Sequence, residues 1–419
     1  KVPPEQLIAA VREHKPDIVG LSGLLVKSAQ QMVITAGDLK EAGIDVPVLV
    51  GGAALTRNFV DKQIAANYGG TVAYAQDAMN GLDLAKQIVD PARFDLLKQQ
   101  LRDQRARLKE QSADAQKPAP IVNRRKSPEI RPVDTLPTPP DFDRHVLANT
   151  PLDQVWKFIN PVMLYGRHLG LKGSVVRTIE TEAKAILAST EQGRKALELR
   201  EAVETLKARC RAGGMSVKAV YRFFRASSEG NTLHLEADGT RVASFEFPRQ
   251  ARENGLCLSD YVEPANGRPD NVAMFVVTAG AGIRAQAEAL KNSGDYLKSH
   301  ALQALALETA EAYAELLHSR IRSMWGFADP VDLTMLDRFK ANYRGKRYSF
   351  GYPACPQLDD QTRLFAALHP QEIGVELTDG CMMEPEASVS AIVFHHPDAT
   401  YFSVTDLAQS RGGESGGES

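Results

Sequence analysis

The chain has 419 residues, 43% of them hydrophobic, and a net charge of −2, which together indicate a globular protein of two or three domains. This balance excludes a broad basic surface for nucleic acid or an anionic membrane, and no apolar run approaches the roughly 20 residues that cross a bilayer. The four cysteines are widely separated and form no CxxC pair, which argues against a disulfide framework or a structural zinc site and favours a reducing cytoplasm.

The first ninety residues alternate between helical and strand-like segments. The predicted order is a helix at 5–14, a strand at 17–22, a helix at 28–41, a strand at 46–50, a helix at 57–67, a strand at 71–74 and a helix at 77–89. This rhythm predicts an α/β domain with an open parallel sheet of flavodoxin-like or Rossmann-like type over residues 1–93. Because the chain starts directly in a helix lead-in, without an initiator methionine, we expect a fragment whose N-terminal neighbours are missing.

A change of composition separates a second domain from the first. Residues 94–110 read as a charged helix, and residues 112–140 contain seven prolines and little apolar periodicity, so 94–140 is predicted to be a helix and a Pro-rich linker. Residues 141–406 combine long helical stretches, at 181–212 and 295–324, with β-like segments, which predicts a larger α+β domain. The Gly/Ser/Glu-rich tail at 407–419 is predicted to be disordered.

Small residues follow the predicted strands of the first domain. Ser22 lies between two glycines, Gly51 and Gly52 end the next strand, and Ala78 follows the third. Ligands bind outside the carboxyl ends of parallel strands, and glycine lets them approach the backbone. These residues are consistent with a nucleotide or a corrin tail, and equally, for any single motif, with simple tight turns; spacing alone does not separate a cobalamin tail from FMN.

The second domain contains one unusual stretch, residues 344–356, with two prolines and a glycine near several basic residues. A rigid turn holds its neighbouring polar groups, and an arginine on such a turn can bind a carboxylate with two hydrogen bonds. A structural loop with its basic residues in water is the alternative. Cys355, between alanine and proline, reads as a packed turn residue, and His395-His396 as capping or loop residues, because neighbours on a strand face opposite sides.

Two segments of the first domain, DIVGLSGLLVKS at 17–28 and VLVGGA at 48–53, resemble the cobalamin-binding domain of cobalamin-dependent methionine synthases. The resemblance implies that Ser22 and Ala78 contact the nucleotide tail of cobalamin, and that Gly23, Gly51 and Gly52 lie beside it. Val26 stands where the family has a threonine contact. The family's cobalt-ligating histidine, in a DxHxxG motif, is expected upstream of Lys1, so no metal ligand is predicted here.

The stretch RYSFGYPACP at 347–356 resembles the RxxxGYxACP signature of the activation domain of the same family. Four further segments agree in order: FEFPRQ at 245–250, GLCLSDY at 255–261, AEAYAE at 310–315, and ASVS at 387–390 with HPD at 396–398. Asn160 stands where the family often has an aspartate, with Asp153 nearby as a substitute. The resemblance implies that S-adenosylmethionine is bound by Asn160, Glu311, Arg347, Gly351, Tyr352, Tyr401 and Phe402.

The resemblance also implies a function. Methionine synthase moves a methyl group from 5-methyltetrahydrofolate to homocysteine through cobalamin, and this fragment would serve the reductive remethylation of inactive cob(II)alamin to methylcobalamin. It would need an electron from flavodoxin or an equivalent donor and the upstream domains of the same enzyme, with zinc only in the absent homocysteine domain. No general acid or base is required, because catalysis would rest on positioning. A non-catalytic corrinoid carrier fused to an S-adenosylmethionine-binding module, and a different corrinoid methyltransferase, are the alternatives.

Overall fold

The chain was analysed as a computed structural model that describes residues 3–23, 26–52, 55, 57–76, 78–113, 126–179, 184–378 and 381–404. Backbone contacts divide it into two units, Lys1–Ile121 and Val122–Ser419. Each unit has hydrophobic clusters of its own. The predicted disordered tail lies outside the described residues.

The first unit is a parallel sheet with helices between its strands. Its elements are α1 (Pro4–His14), β1 (Val19–Ser22), α2 (Val26–Glu41), β2 (Val48–Gly51), α3 (Arg57–Phe59), α4 (Ala65–Asn67), β3 (Val72–Ala75), α5 (Ala78–Val89) and α6 (Pro91–Ala113). A π-helical turn joins α3 to α4. In the described part of this unit the strand order is β1-β2-β3, and both pairs are parallel, which confirms the α/β class. The flavodoxin-like topology stays a prediction.

Helix α6 packs on the first unit, although its sequence was grouped with the linker. Leu97 and Leu101 are buried against α5. Further along, Arg105 donates a hydrogen bond to the Asp61 carboxylate at 2.9 Å and another to the Val72 carbonyl. This buried ion pair and the two leucines tie the helix to the sheet.

The second unit is built on a larger antiparallel sheet. Its helices are α7 (Leu152–Trp156), α8 (Gly173–Thr178), α9 (Lys184–Ala188), α10 (Glu191–Arg209), α11 (Ile283–Asn292), α12 (Tyr296–Met324), α13 (Met335–Phe339) and α14 (Gln361–Leu368). Its strands are β4 (Arg144–Leu147), β5 (Lys218–Glu229), β6 (Thr232–Ala237), β7 (Thr240–Glu246), β8 (Asp270–Thr278), β9 (Lys346–Tyr348), β10 (Glu376–Leu377), β11 (Met383–Glu384) and β12 (Ser388–Phe394). The predicted α+β pattern is confirmed.

The strand order of the large sheet is β7-β6-β5-β8-β12-β9, with β4 also paired to β5. Strands β8 and β12 are buried along their whole length, so both faces of the sheet are covered. Phe275 and Val393 face the cluster that contains α12, whereas Met274 and Ile392 face the cluster that contains α14. Two helical layers therefore enclose this sheet, and α12 covers the face on which Phe275 and Val393 lie.

Residues 126–140, predicted to belong to the linker, pack on the second unit. Ile130 is buried in its core, and the Ser127 hydroxyl donates to the Asn254 carbonyl at 2.6 Å. The Trp325 indole donates to the Pro137 carbonyl at 3.2 Å. The proline-rich composition that indicated a linker instead gives an extended segment whose backbone carbonyls accept hydrogen bonds from the domain.

Candidate functional site

Arg347 lies on the short edge strand β9, in register with Val393 of the buried strand β12. Successive side chains on a strand point to opposite faces, so Lys346 and Tyr348 are buried on one face and Arg347 projects from the other. Its side chain is 17% exposed and reaches the helix α12. The sequence-predicted arginine is therefore held by sheet and helix together.

Two carboxylates of α12 meet this guanidinium. Glu311 and Glu315 are four residues apart and share one face of the helix. Arg347 Nη1 donates to Glu315 Oε2, and Nη2 lies 3.6 Å from Glu311 Oε2. The Glu315 side chain is 11% exposed and that of Glu311 is 43% exposed, so one carboxylate lies inside and the other near the surface.

The charge of Arg347 is secured by these neighbours. Burial alone would lower the pKa of the guanidinium, but Glu315, with Tyr343, Tyr401 and Glu311, raises it above its ordinary value. The group is therefore a permanent cation in a largely desolvated place. Such a cation binds an anion more strongly than one in water does.

The turn that follows β9 is fixed by its own backbone. Gly351 has φ +86°, a left-handed conformation that favours glycine. Its N–H donates to the Cys355 carbonyl at 2.9 Å, and the Cys355 N–H donates to the Tyr352 carbonyl at 3.0 Å. Cys355 is buried, and its thiol donates to the Ser349 carbonyl. The cysteine thus packs within the turn, and the turn sets the position of Tyr352.

Aromatic residues lie around the arginine. Burial raises the pKa of the Tyr352 hydroxyl, and the Glu311 carboxylate raises it further. The Tyr401 ring meets Tyr348 edge-on, with 5.4 Å between ring centroids, and is 52% exposed. The centroid of the Phe402 ring lies 6.5 Å from that of the Tyr348 ring. Of the residues predicted to bind S-adenosylmethionine, Glu311, Arg347, Gly351, Tyr352 and Tyr401 thus lie in one neighbourhood, and Phe402 follows Tyr401 in the chain.

Asn160 has a different described contact. Its side-chain oxygen accepts a hydrogen bond from the Val162 N–H at 3.0 Å, at the start of the π-helical segment Val162–His168. Asp153, its suggested substitute, is bound by Arg211 at 2.8 Å. These two contacts lie outside the Arg347 neighbourhood, and the contact of Asn160 with a ligand stays a prediction.

Sequence reasoning missed the inner half of this neighbourhood. Arg322 is fully buried, pairs with Asp329 at 2.7 and 2.8 Å, and stacks on the Tyr343 ring at 3.8 Å. Glu315 receives a hydrogen bond from the Tyr343 hydroxyl at 3.2 Å. The available signal was a run of charged residues, spaced three or four apart, on an otherwise apolar helix.

The predicted cobalamin residues gather at the carboxyl edge of the first sheet. Ser22 pairs in register with Gly51, and the Gly23 N–H donates to the Gly51 carbonyl at 3.0 Å. Gly52 has φ +122°, and a Cβ there would lie 2.1 Å from the Gly23 carbonyl oxygen. Close backbone packing between the strand ends therefore requires glycine at position 52. The approach of a ligand to Gly23, Gly51 and Gly52 stays a prediction.

Ser22 is exposed at this edge, so its hydroxyl is accessible. Val26 and Ala78 begin α2 and α5, but their side chains lie outside the described residues. Within the described residues, no group of three or more His, Cys, Asp or Glu side chains is arranged to hold a metal ion. In the same residues, no helix combines the length and apolarity needed to span a membrane.

The buried histidines 395 and 396 have structural partners. His395 Nε2 lies 2.7 Å from the Asp270 carboxylate, and His396 Nε2 donates to the Arg131 carbonyl at 3.1 Å. A separate cavity of about 390 Å³ lies between α11, α12 and residues 384–387, and it shares no lining residue with the Arg347 neighbourhood.

The second unit is thus an α+β module that presents a buried, permanently charged arginine beside an ordered turn, a half-exposed carboxylate and tyrosines. This set of groups brings a buried cation, a carboxylate and aromatic rings together in one place. Residues 152–412 match the family described as vitamin B12 dependent methionine synthase, activation domain. The chain belongs to this family, which confirms the resemblance seen in the sequence.

Two methionine synthases extend the match to the first unit. That of Mycobacterium tuberculosis is 33% identical, and that of Mycobacterium leprae 32%, each over 96% of this chain. The chain spans 36% of the length of either relative. A solved structure, the crystal structure of the MetH reactivation domain bound to AdoHcy, is similar with a TM-score of 0.59 and 27% identity, over 65% of this chain and 84% of that one.

These relatives also confirm the cofactor expectation at the level of the family. The family is described by its dependence on vitamin B12, and the solved relative holds AdoHcy, the demethylated form of S-adenosylmethionine.

Proposed function

We propose that the second unit binds S-adenosylmethionine at Arg347 for the reductive remethylation of cobalamin held by the first unit. The single observation that carries this proposal is the buried guanidinium, whose Nη2 lies beside a half-exposed carboxylate. An amino acid ligand offers a carboxylate and an ammonium group, and this pair of side chains matches both.

The chemistry of the donor set fits S-adenosylmethionine. Arg347 would bind the α-carboxylate, and Glu311 would bind the α-ammonium. Tyr352 and Tyr401 would lie against the cationic sulfonium or the adenine, because aromatic faces attract both. Gly351 would let the ligand approach the backbone, and Phe402 and Asn160 complete the proposed set.

When bound, S-adenosylmethionine supplies a methyl group on a sulfonium sulfur, and this sulfur is a good leaving group because it departs as a neutral thioether. The residues of this chain then act by binding, orientation and exclusion of water, and no proton has to move. Within the described residues, the neighbourhood contains no histidine placed to accept a proton from solvent, since His318 is fully buried and burial lowers its pKa well below its ordinary value. Positioning is the role that we propose for these residues.

In the first unit, Ser22 with Gly23, Gly51, Gly52, Val26 and Ala78 would border the nucleotide tail of cobalamin. The exposed Ser22 hydroxyl at the open edge of the sheet supports this part of the proposal. Methyl transfer from methyltetrahydrofolate to homocysteine, the upstream domains, a flavodoxin-like electron donor and a cytoplasmic location are proposed from the whole relatives, of which this chain spans a part. The domain boundaries at 93 and 406 also stay predictions.

The experiment that tests turnover uses the full chain with cobalamin, S-adenosylmethionine and a chemical reductant under anaerobic conditions. The proposal predicts that the absorbance spectrum of methylcobalamin appears. The rate of its formation should fall at least about tenfold in Arg347→Ala, since a charge-assisted hydrogen bond is lost.

Binding of S-adenosylmethionine without methylcobalamin formation, in a chain loaded with cobalamin, would instead support the carrier with a non-catalytic binding module. Absence of both binding and turnover would refute the proposal.

A further inference from the structure

The guanidinium of Arg347 has an inner and an outer side, and Glu315 occupies the inner one. Arg347 Nη1 donates to Glu315 Oε2, whereas Nη2 faces the half-exposed Glu311 at 3.6 Å. The planar guanidinium carries five N–H donors in a fixed fork. A partner that holds one amino group from inside therefore sets the direction in which the other points.

Glu315 is itself fixed on a rigid support. It lies in the middle of α12, which runs for 29 residues and is buried on several sides. The Tyr343 hydroxyl donates to the same carboxylate oxygen that binds Arg347, at 3.2 Å. A carboxylate held by a long helix and by a tyrosine can pass its position on to the arginine.

Arg322, a second buried cation near Glu315, is bound by a different carboxylate, Asp329, which it shares with Arg338. Arg322 lies 3.8 Å from Glu315, but it forms two hydrogen bonds to Asp329, at 2.7 and 2.8 Å. Glu315 is therefore the inner counter-ion of Arg347, and its removal leaves that guanidinium free to turn toward Glu311 or water.

We infer that Glu315 is the positioning residue of the ligand site: it holds Arg347 from inside so that the outer edge of the guanidinium faces the ligand's carboxylate. This inference rests on the proposed function. It assigns to Glu315 no contact with the ligand. The opposite role is that Glu315 competes with the ligand's carboxylate for Arg347, and this role predicts the opposite sign in the experiment.

The test is a double-mutant cycle on binding, with Glu315→Gln, Arg347→Ala and the double variant of the full chain. Titration calorimetry with S-adenosylhomocysteine gives the affinities, and 5′-methylthioadenosine, which lacks the carboxylate, is the second probe. If Glu315 positions Arg347, Glu315→Gln should lower the affinity for S-adenosylhomocysteine about tenfold and Arg347→Ala should lower it about 30-fold. The double variant should lose no more affinity than Arg347→Ala, because the two residues act as one unit. The affinity for 5′-methylthioadenosine should change less than about twofold.

Two further variants separate positioning from misfolding. Glu308→Gln changes another buried glutamate of α12, one that pairs with His168 at 2.8 Å, and should leave the affinity unchanged. Tyr343→Phe keeps the charge of Glu315 but removes the hydrogen bond that the tyrosine donates to it, and should lower the affinity for S-adenosylhomocysteine about threefold. It provides the readout if Glu315→Gln does not fold.

Tighter binding in Glu315→Gln, an equal loss for both probes, or additive losses in the double variant would overturn the positioning role. If Arg347→Ala itself binds S-adenosylhomocysteine as the native chain does, the proposed function fails, which is a different outcome from failure of Glu315→Gln alone.

Discussion

At the scale of single residues, buried polar groups of the second unit are held in one protonation state by their neighbours. His396 is an example that is independent of the ligand site. Its Nε2 donates to the Arg131 carbonyl, and its Nδ1 accepts from the Asp398 N–H at 3.1 Å. The second bond needs the neutral ring, because a protonated Nδ1 no longer accepts. Burial, together with the charge of Lys126, lowers the pKa of His396 to about 4.

This residue predicts a pH dependence of stability. The histidine of the unfolded chain titrates near pH 6.5. Between pH 6.5 and pH 4 the unfolded chain therefore binds more protons than the folded chain, and the free energy of unfolding decreases as the pH is lowered. The loss should reach about 3 kcal/mol at most, at 1.36 kcal/mol per pKa unit. Urea unfolding of the native chain and of His396→Gln at pH 7 and pH 5 measures it. The stability difference between the two should shrink at pH 5, and a difference that stays constant contradicts the account.

At the scale of elements, the sequence predicted α1, β1, α2 and β2 to within a few residues, because each has a clear periodicity and a small-residue end. The stretch predicted as one helix over 181–212 contains a break instead. Helix α9 ends at Ala188, and α10 begins with Thr190 as its cap, whose hydroxyl accepts from the Gly193 N–H at 3.0 Å. A threonine inside an apolar period does not indicate by itself that it caps a helix.

The candidate site shows the same limit. Arg347 and Tyr352 were predictable because they lie in one short motif. Glu315 lies in a segment that resembles the family, but the segment itself indicates no role for it, since only the fold shows that it lies beneath an arginine more than thirty residues away. The glycines at the strand ends are predicted from the sequence to let a ligand approach, and that role stays a prediction. The fold adds that Gly51 and Gly52 also lie against the backbones of adjoining strand ends, which a linear pattern does not reveal.

The close approach of the ends of β1 and β2 predicts that a methyl group added at Gly52 lowers the stability of the first unit. Gly52→Ala places a Cβ 2.1 Å from the Gly23 carbonyl oxygen, in a backbone conformation that disfavours alanine. We expect the first unit to lose about 2–4 kcal/mol of its free energy of unfolding, from strain and displaced backbone. Gly20→Ala, on the same sheet but with no atom within 4 Å of the added Cβ, is the matched control. Chemical denaturation followed by circular dichroism compares them, and equal stabilities contradict this packing.

At the scale of the whole molecule, the two units have separate cores, and the division between them falls within the stretch 94–140 that composition indicated as a helix and linker. Composition alone assigned residues 126–140 to a linker because they are rich in proline. The fold gives them a docking role, with Arg131 bound to the Asp398 carboxylate and Arg268 donating to the Asp134 carbonyl at 2.8 Å. A segment without periodicity of its own can still supply carbonyls and one buried apolar side chain to a neighbouring core.

This docking predicts how truncation acts. A chain that begins at residue 122 should keep the second unit's thermal midpoint, because the two units have separate cores. A chain that begins at residue 141 loses the buried Ile130 and should be less stable by about 2–5 kcal/mol, as expected for deletion of a buried aliphatic side chain with its neighbouring hydrogen bonds. Thermal unfolding followed by tryptophan fluorescence compares the two, since Trp156 and Trp325 both lie in this unit. Equal midpoints would show that residues 126–140 contribute nothing.

The central claim is that a buried guanidinium recognises the carboxylate of a sulfonium amino acid. The most direct measurement is the affinity of the native chain for S-adenosylmethionine compared with its decarboxylated analogue, by titration calorimetry at one salt concentration. The account predicts that the decarboxylated analogue binds at least about 30-fold more weakly, because it leaves Arg347 without its anion. Equal affinity for the two compounds would contradict it.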